Sequence, residues 1–226
     1  AWLVPRGGGE PVDVRLLTMT PEPLRVIWTA ARTCYSAKEP LELWQSAPPP
    51  EEMLPLVRKI FHSRHHSVVE HCSVTYAIAG VSRTLLAQFT RHRVGISFSV
   101  QSQRYVSERS DRNAGRFDAV VPPTIAARPE AARVYEDLLA AAQAAYDQLT
   151  DLGVPKEDAR FVLPGGAATN LVTTLNFRSL LDLYQKRVVT PGAQWEIKAM
   201  VRRMVELLIE REPWLAEFFP ANEGTS

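Results

Sequence analysis

The chain has 226 residues, and its 46% hydrophobic content is enough to bury a sizeable core in one domain. Its 26 Lys and Arg residues nearly balance 25 Asp and Glu residues, which argues against a bulk nucleic-acid binder because such domains are usually strongly basic. Two cysteines are too few for a disulfide framework, and no signal peptide or long apolar run is visible, so we expect a soluble, cytoplasmic protein.

The first ten residues differ in character from the rest. Residues 3–7 read Leu-Val-Pro-Arg-Gly, which resembles an engineered protease site. We therefore regard residues 1–10 as an N-terminal extension that an engineered addition would explain, and we leave them out of the fold prediction. Residues 11–226 are expected to form a single domain, with a helical elaboration over about residues 128–165.

The first part of the chain predicts a mixture of strands and helices. Residues 12–17 alternate weakly and predict a strand, and the Thr-Pro-Glu of residues 20–22 predicts the start of a helix that runs to about Cys34. Three prolines at 48–50 precede a second helix. Residues 73–79 alternate between apolar and polar side chains and predict a half-buried strand.

A short helix capped by Ser82 is predicted to lead into an Arg-His-Arg run at residues 91–93. Its apolar stripe would consist of Leu85, Leu86 and Phe89. The neighbouring arc would carry Gln88, Arg91 and His92, because positions three and four apart share a helix face. The helix would thus be anchored by one side and present an amide, a guanidinium and an imidazole from the other.

The second part of the chain is mainly helical. A long, alanine-rich helix is predicted from Arg128 to near Gly153, and a short one from Pro155. The β-branched residues 169–174 predict a brief strand, and helices follow over residues 176–188 and 193–212. A few strands with segregated helices predict an α+β fold with a small, mostly antiparallel sheet.

Arginines are concentrated in one stretch of the sequence. Seven arginines and no lysine lie between Arg83 and Arg116, including those of residues 91–93 and of the Ser-Gln-Arg-Tyr run at 102–105. Guanidinium groups at both ends of one polar loop predict an anion cradle, although a solvated basic turn is the alternative. The sequence has no glycine-rich phosphate loop, so a phosphate would have to be held by arginines.

Two further arginines lie beside apolar residues. Arg187 is predicted on the helix face of Leu180, Leu183 and Tyr184, where a cation is costly unless an anion or acceptor meets it. Snorkelling at the end of the helix is the simpler explanation. Arg160 precedes three apolar residues, and an ion pair with Glu157 or Asp158 is its structural alternative.

The pair Arg178 and Asp182 is spaced four residues apart on the opposite face of the same predicted helix. An exposed salt bridge would explain this spacing. The pair could instead bind the polar parts of a nucleotide cofactor.

Histidines cluster between residues 62 and 72. The possible metal donors are His62, His65, His66, Glu70, His71 and Cys72. Their spacing matches no familiar zinc site, so capping, core hydrogen bonds or contacts to a bound ring system are favoured over zinc. Neither Cys34 nor Cys72 has a cationic partner that would make it a nucleophile.

Taken together, these residues resemble the flavin-dependent thymidylate synthases, whose signature is Arg-His-Arg, a short spacer and Ser-x-Arg. The signature corresponds to residues 91–93 and 102–104, and the resemblance covers about residues 12–219. The other matching segments are residues 31–35, 70–71, 81–83 with Gln88, 159–160 with 163–164, 176–180 and 193–196.

The resemblance implies an activity. The family converts dUMP to dTMP with 5,10-methylenetetrahydrofolate as carbon donor, FAD as hydride carrier and NADPH as reductant, in a homotetramer whose flavin sites are shared between subunits. It would be a transferase that needs no covalent enzyme nucleophile, no metal, no nucleic acid and no membrane. The main alternative is a non-catalytic nucleotide- or RNA-binding module, and the third is a zinc hydrolase.

The resemblance also implies residue roles. The expected dUMP-binding residues are Gln88, Phe89, Thr90, Arg91, Val100, Gln101, Ser102, Gln103, Arg104, Arg160 and Arg187. The expected FAD-binding residues are His65, Ser67, Arg91, His92, Arg93, Asn176, Phe177, Arg178 and Asp182. Arg187 is the expected catalytic residue, which would contact the uracil ring and favour loss of its ring proton.

Three positions depart from the family pattern. The spacer of residues 94–101 holds eight residues where seven are usual, so it does not map residue by residue. Asp182 stands where Asn or His is common, and an ionised carboxylate cannot donate a hydrogen bond to adenine. Cys34 replaces a common serine and has no assigned role.

Overall fold

The computed structural model describes residues 12–220, so the expected extension at residues 1–10 lies outside it. Its strands are β1 (Asp13–Met19), β2 (Ser73–Ser82), β3 (Ile96–Val100) and β4 (Ala168–Asn176). Its α-helices are α1 (Pro23–Thr33), α2 (Pro40–Gln45), α3 (Pro50–His62), α4 (Arg83–Phe89), α5 (Pro123–Ala126), α6 (Pro129–Asp151), α7 (Lys156–Ala159), α8 (Phe177–Tyr184) and α9 (Trp195–Arg211). Short 3₁₀ turns cover His66–His71, Ser110–Arg112, Arg160–Val162 and Pro213–Phe218.

The four strands form one small antiparallel sheet in the order β1-β2-β4-β3. Val74, Tyr76 and Ile78 are buried along β2, as the alternating pattern predicts. The α+β prediction, with a small sheet and segregated helices, is therefore confirmed. No helix among residues 12–220 is both long and apolar enough to cross a bilayer.

The chain is divided into two compact units. One contains residues 12–13, 78–91 and 99–171, and the other contains residues 14–77, 92–98 and 172–220. The first unit has a buried cluster in which α6 packs against the chain that leads into β4. The cluster consists of Phe117, Leu139, Ala142 and Ala167.

The second unit contains α9, whose predicted buried side is confirmed. That side consists of Ile197, Met200, Val201, Met204 and Leu208. The fully buried Tyr76 of β2 donates its hydroxyl hydrogen to the carbonyl of Met204 at 2.8 Å. This bond satisfies the one polar atom that the aromatic side chain brings into the core.

The predicted start of the first helix is wrong by two residues. α1 begins at Pro23, and Glu22 before it has a left-handed backbone conformation with φ of 47°. Thr20 does not cap the helix, because its hydroxyl accepts the Ser73 amide at 2.9 Å and so extends the pairing of β1 with β2. Pro23, and not the predicted Pro21, occupies the first helical position, where it removes no needed donor.

The cap of α4 is confirmed, but the end of this helix is not where the sequence placed it. The hydroxyl of Ser82 accepts the amide of Leu85 at 2.9 Å. The helix ends at Phe89, so Arg91 and His92 lie in the turn beyond it and do not share its polar arc with Gln88. Residues 94–101 also differ from the predicted polar loop, because Ile96–Val100 forms an edge strand of the sheet.

The helix predicted over residues 176–188 is α-helical only in its first part. The α-helix ends at Tyr184, and Gln185–Val189 continue it as a turn of π-helix. The amide of Thr190 closes this turn by donating to the carbonyl of Gln185 at 2.9 Å. Single π-turns of this kind are frequent at functional sites, and this one carries Arg187.

Candidate functional site

The first unit contains one group of the predicted substrate residues. α4 is held by its buried residues Leu85 and Phe89, which leaves Gln88 half-buried. Thr90 closes the helix by donating its hydroxyl hydrogen to the carbonyl of Leu86 at 2.9 Å. Arg91 follows with an exposed side chain. These contacts fix the backbone from which Gln88 and Arg91 project.

A second group follows β3. The amide of Gln101 donates to the carbonyl of Asn170 at 2.8 Å, and the side-chain amide of Asn170 returns a hydrogen bond to the Gln101 side chain at 2.9 Å. The hydroxyl of Ser102 accepts the amide of Arg104 at 3.2 Å. Val100 is half-buried and Gln103 is 8% exposed. The backbone of residues 100–104 is thus tied to β4.

Glu157 of α7 joins Arg104 and Arg160. Its carboxylate oxygen Oε2 lies 2.5 Å from Nε of Arg104, and its backbone carbonyl accepts a hydrogen bond from Nε of Arg160 at 2.9 Å. The structural alternative for Arg160 was an ion pair with Glu157 or Asp158. In the structure Arg160 instead contacts the backbone carbonyl of Glu157, and the Glu157 carboxylate pairs with Arg104. The structure brings together two of the guanidinium groups that the sequence predicts for one phosphate.

Arg83, to which the sequence motifs assigned no role, lies beside this group. It donates from Nη2 to the carbonyl of Gln101 at 2.9 Å. Burial lowers the pKa of Arg83 and the charge of nearby Arg160 adds to this effect, whereas the charge of Glu108 opposes it. Burial likewise raises the pKa of Glu108, and Arg83 opposes that shift. A cation in the first turn of α4 is unfavourable for the helix dipole, and this was the available signal that Arg83 has a specific partner.

The second unit contains most of the predicted flavin residues, and its backbone contacts show how they are assembled. The side-chain oxygen of Asn176 accepts the amide of Ser179 at 2.8 Å and caps α8. The hydroxyl of Ser179 donates to the carbonyl of Val94 at 2.7 Å, and the amide of Asn176 donates to the carbonyl of Gly95 at 3.1 Å. A Cβ atom at Gly95 would overlap the side chains of Asn176 and Ser179, and its φ of +65° also suits glycine.

The turn His66–His71 reaches the same helix start, because the amide of Phe177 donates to the carbonyl of Cys72 at 2.9 Å. Segment 92–95 and the beginning of α8 therefore meet there, and α8 packs against the turn. The side chains of His65, Ser67, Arg93 and Arg178 are exposed, whereas Phe177 is buried. The structure thus brings segment 92–95 and the turn His66–His71 to the start of α8, where Asn176, Phe177 and Arg178 lie.

The charged residues of α8 have partners other than those expected. Arg178 forms an ion pair with Glu70, which lies far from it in the sequence. Asp182 pairs with Lys186 at 2.8 Å, one helical turn onward. The exposed salt bridge between Arg178 and Asp182, one of the two explanations of their spacing, is therefore not formed, and both side chains are exposed.

Arg187 contacts His92. Nε of Arg187 donates a hydrogen bond to Nε2 of the imidazole at 2.9 Å, and both side chains are half-buried. Burial lowers the pKa of His92, and the charges of Arg187 and Lys186 lower it further, whereas Asp182 opposes the shift. His92 is consequently a neutral imidazole near pH 7.

His62 and His66 contact backbone carbonyl oxygens, and the thiol of Cys72 is buried. Nδ1 of His62 donates to the carbonyl of Arg58 at 2.7 Å, and Nε2 of His66 lies 3.3 Å from the carbonyl oxygen of Phe61. Across residues 12–220, no three His, Cys, Asp or Glu side chains lie close enough together to hold a metal ion. Burial raises the pKa of the Cys72 thiol to about 12, with a further contribution from Glu212, so this thiol stays protonated at neutral pH.

Residues 15–214 match the sequence profile of the thymidylate synthase complementing proteins. The chain belongs to the flavin-dependent thymidylate synthase family. A family member from Geobacter sulfurreducens is 40% identical over 87% of this chain and 82% of its own length. A second, from Nitratidesulfovibrio vulgaris, is 38% identical over 89% of this chain and 84% of its own.

Solved structures agree on the fold. The UMP/dUMP methylase PolB from Streptomyces cacaoi, crystallised with 5-bromo-dUMP, superposes with a TM-score of 0.78 at 21% identity. The superposition covers 94% of this chain and 98% of that one. The fold shared with this methylase therefore extends over nearly all of the chain.

The residues of the second unit fit the family's flavin nucleotide. FAD carries an anionic pyrophosphate, which requires cationic and hydroxyl donors that solvent can reach. Arg93, Arg178 and Ser67 supply such donors from exposed positions around the start of α8. Arg178 would have to leave or share Glu70, which is a small cost for an exposed ion pair.

Proposed function

We propose that this chain catalyses the reductive methylation of dUMP to dTMP, with 5,10-methylenetetrahydrofolate as carbon donor, FAD as hydride carrier and NADPH as reductant. The observation that carries the proposal is the family match over residues 15–214, together with relatives 38–40% identical over most of the chain. The enzyme is a flavoprotein methyltransferase that acts on the free nucleotide.

The phosphate of dUMP is assigned to the first unit. A phosphate monoester is nearly dianionic at neutral pH, and guanidinium forks match its oxygens. Arg104 and Arg160, which both contact Glu157, are the principal groups, and Arg91 and Ser102 assist them. The remaining residues proposed for dUMP in this unit are Gln88, Phe89, Thr90, Val100, Gln101 and Gln103.

The pyrimidine ring is assigned to Arg187. Methylation at the 5-carbon of uracil requires electron density on that carbon, while negative charge grows on the ring oxygens and nitrogen. A guanidinium directed at this charge stabilises the transition state more than the bound substrate. Arg187 also favours loss of the proton at the 5-carbon, because it stabilises the electron pair that remains on the ring.

The flavin is assigned to the residues around the start of α8 and the Arg-His-Arg run. These are His65, Ser67, Arg91, His92, Arg93, Asn176, Phe177, Arg178 and Asp182. FAD supplies hydride chemistry when bound, and the protein supplies position and electric field. The chain's own part needs no covalent nucleophile, which agrees with the protonated Cys72 thiol.

Assembly and location are part of the proposal and rest on the family resemblance. We propose a cytoplasmic homotetramer in which the binding residues of different subunits complete each site. Size-exclusion chromatography with light scattering tests the assembly, and a monomer that retains full activity would remove the tetramer from the proposal.

The test of the function is spectroscopic and chemical. Purified protein should be yellow, NADPH should bleach the flavin absorbance, and dTMP should form only when dUMP and the folate are both present. A colourless protein that cannot be reconstituted with FAD and still binds nucleotides or RNA would favour the non-catalytic module instead.

A further inference from the structure

The hydrogen bond between Arg187 and His92 joins two residues that the family resemblance assigns to different ligands. Arg187 is assigned to the pyrimidine and His92 to the flavin. They meet because the π-turn Gln185–Val189 carries Arg187 and the turn after α4 carries His92. The contact at 2.9 Å uses Nε, the guanidinium nitrogen nearest the chain.

The direction of this hydrogen bond determines the protonation state and the tautomer of His92. Nε of Arg187 is always a donor, so Nε2 of His92 must be an acceptor with a lone pair. A neutral imidazole with an accepting Nε2 carries its proton on Nδ1. The contact therefore selects one tautomer of neutral His92 and is incompatible with the imidazolium.

The bond also determines the orientation of Arg187. The guanidinium is planar, so fixing Nε on the imidazole sets the plane and direction of its outer edge. A lysine at this position would have no equivalent of the Nε donor. The guanidinium must be correctly oriented to stabilise the negative charge that develops on the pyrimidine.

We propose that His92 is a positioning residue for the reaction, which as the neutral Nδ1–H tautomer holds the Arg187 guanidinium in its working orientation. The inference rests on the proposed function, because it takes Arg187 as the group that faces the pyrimidine. The charges around His92 agree with it. The positive charges of Arg187 and Lys186, both in the π-turn, disfavour protonation of the imidazole. The carboxylate of Asp182 on α8 favours protonation, but its effect is smaller.

The proposal predicts that turnover depends on pH. Protonation of His92 replaces the acceptor by a second donor and places two cations in contact, so the orientation of Arg187 is lost. The active form is the neutral one, and the pKa of His92 is lowered from its ordinary value. Turnover should therefore be constant at neutral pH and fall as the pH drops through a value below that of an ordinary histidine.

The kinetic test compares His92→Gln with His92→Ala. The side-chain oxygen of glutamine can accept a hydrogen bond near the position of Nε2 but does not titrate. With kcat expressed per bound FAD, we expect His92→Ala to lose up to about 100-fold, the cost of a misplaced catalytic group. His92→Gln should recover most of this loss and should not show the acidic decline. An unchanged acidic decline in His92→Gln, or a normal kcat in His92→Ala, would overturn the proposal.

Arg187→Lys provides the matched control. Without the Nε donor, replacement of His92 by alanine should cause little further loss of kcat per bound FAD. If His92→Ala had the same effect in the Arg187→Lys variant as in the parent protein, His92 would act independently of Arg187, which would contradict the proposal.

A measurement that needs no turnover separates this inference from the proposed function. In protein labelled with ¹⁵N-histidine, the His92 signal, assigned by its loss in His92→Gln, should show a protonated Nδ1 and an unprotonated Nε2. A proton on Nε2 at neutral pH would refute the positioning contact even in an active enzyme. The expected tautomer in a protein that makes no dTMP would instead leave the contact intact and refute the proposed function.

Discussion

Nε of Arg104 lies 2.5 Å from a carboxylate oxygen of Glu157, in an ion pair whose two side chains are both substantially exposed. Arg104 is also a principal candidate for the phosphate of dUMP, so the nucleotide must take it from Glu157 or share it. An exposed pair contributes about 0–1 kcal/mol, whereas hydrogen bonds to charged groups contribute about 1.5–3 kcal/mol. Binding of Arg104 to the phosphate should therefore be favoured over its ion pair with Glu157.

Replacement of Arg104 by alanine should raise the KM for dUMP by about 10- to 100-fold, which corresponds to about 1.5–3 kcal/mol. Arg160→Ala should have an effect of the same order. Arg58→Ala is the control, because Arg58 forms a comparable exposed pair with Glu217 at 2.8 Å and is not a proposed ligand. If KM for dUMP stays the same in Arg104→Ala and Arg160→Ala, neither residue belongs to the phosphate site.

Arg187→Ala should separate catalysis from cofactor binding. Because its guanidinium is assigned to the charge that grows on the pyrimidine, kcat should fall by about 100-fold or more. The FAD content should change by less than about twofold, and absorbance of the purified variant measures it directly. If the FAD content and kcat fell in parallel, Arg187 would have to be reassigned from the substrate site to the cofactor site.

Arg178→Ala should weaken FAD binding by about tenfold or more, since a charge-assisted hydrogen bond to the cofactor would be lost. Glu70→Gln removes the present partner of Arg178 but keeps the guanidinium, so FAD affinity should stay within about fivefold of the parent value. Fluorescence titration of the apoprotein with FAD measures both. A large loss in Glu70→Gln and none in Arg178→Ala would exclude the proposed role of Arg178.

Much of the fold could be predicted because several elements have strong local signals. α6 is rich in alanine and begins at a proline, and α9 has a regular apolar face, so both were placed within about two residues. The Ser82 cap was predicted from its hydroxyl and the apolar residues that follow it. The ordered Arg-His-Arg and Ser-x-Arg motifs identified the family without any structural information.

The parts that were missed depend on contacts that sequence spacing does not reveal. β3 alternates only over Ile96, Phe98 and Val100, and its polar neighbours made it resemble a loop. Local spacing favoured the pair Arg178–Asp182, but the fold brings Glu70 to Arg178 from a distant turn. The contact of Arg187 with His92 is equally non-local, and the π-turn that carries Arg187 was predicted as ordinary α-helix.

Tyr76→Phe should destabilise the protein by about 1–2 kcal/mol, because the Met204 carbonyl would lose its buried hydroxyl donor while the ring stays packed. The free energy of unfolding in urea measures this change. Tyr35→Phe is the control, since Tyr35 is 84% exposed, and it should stay within about 0.5 kcal/mol of the parent. Equal stabilities of the two variants would contradict the structural role of the Tyr76 hydroxyl.

Release of tritium from the 5-carbon of labelled dUMP tests the proposed reaction most directly. With FAD, NADPH and methylenetetrahydrofolate present, the protein should release tritium into water in step with the dTMP it forms. Omission of FAD should abolish both, and Arg187→Ala should slow both together. If protein loaded with flavin releases no tritium above an enzyme-free blank, this chain does not methylate dUMP.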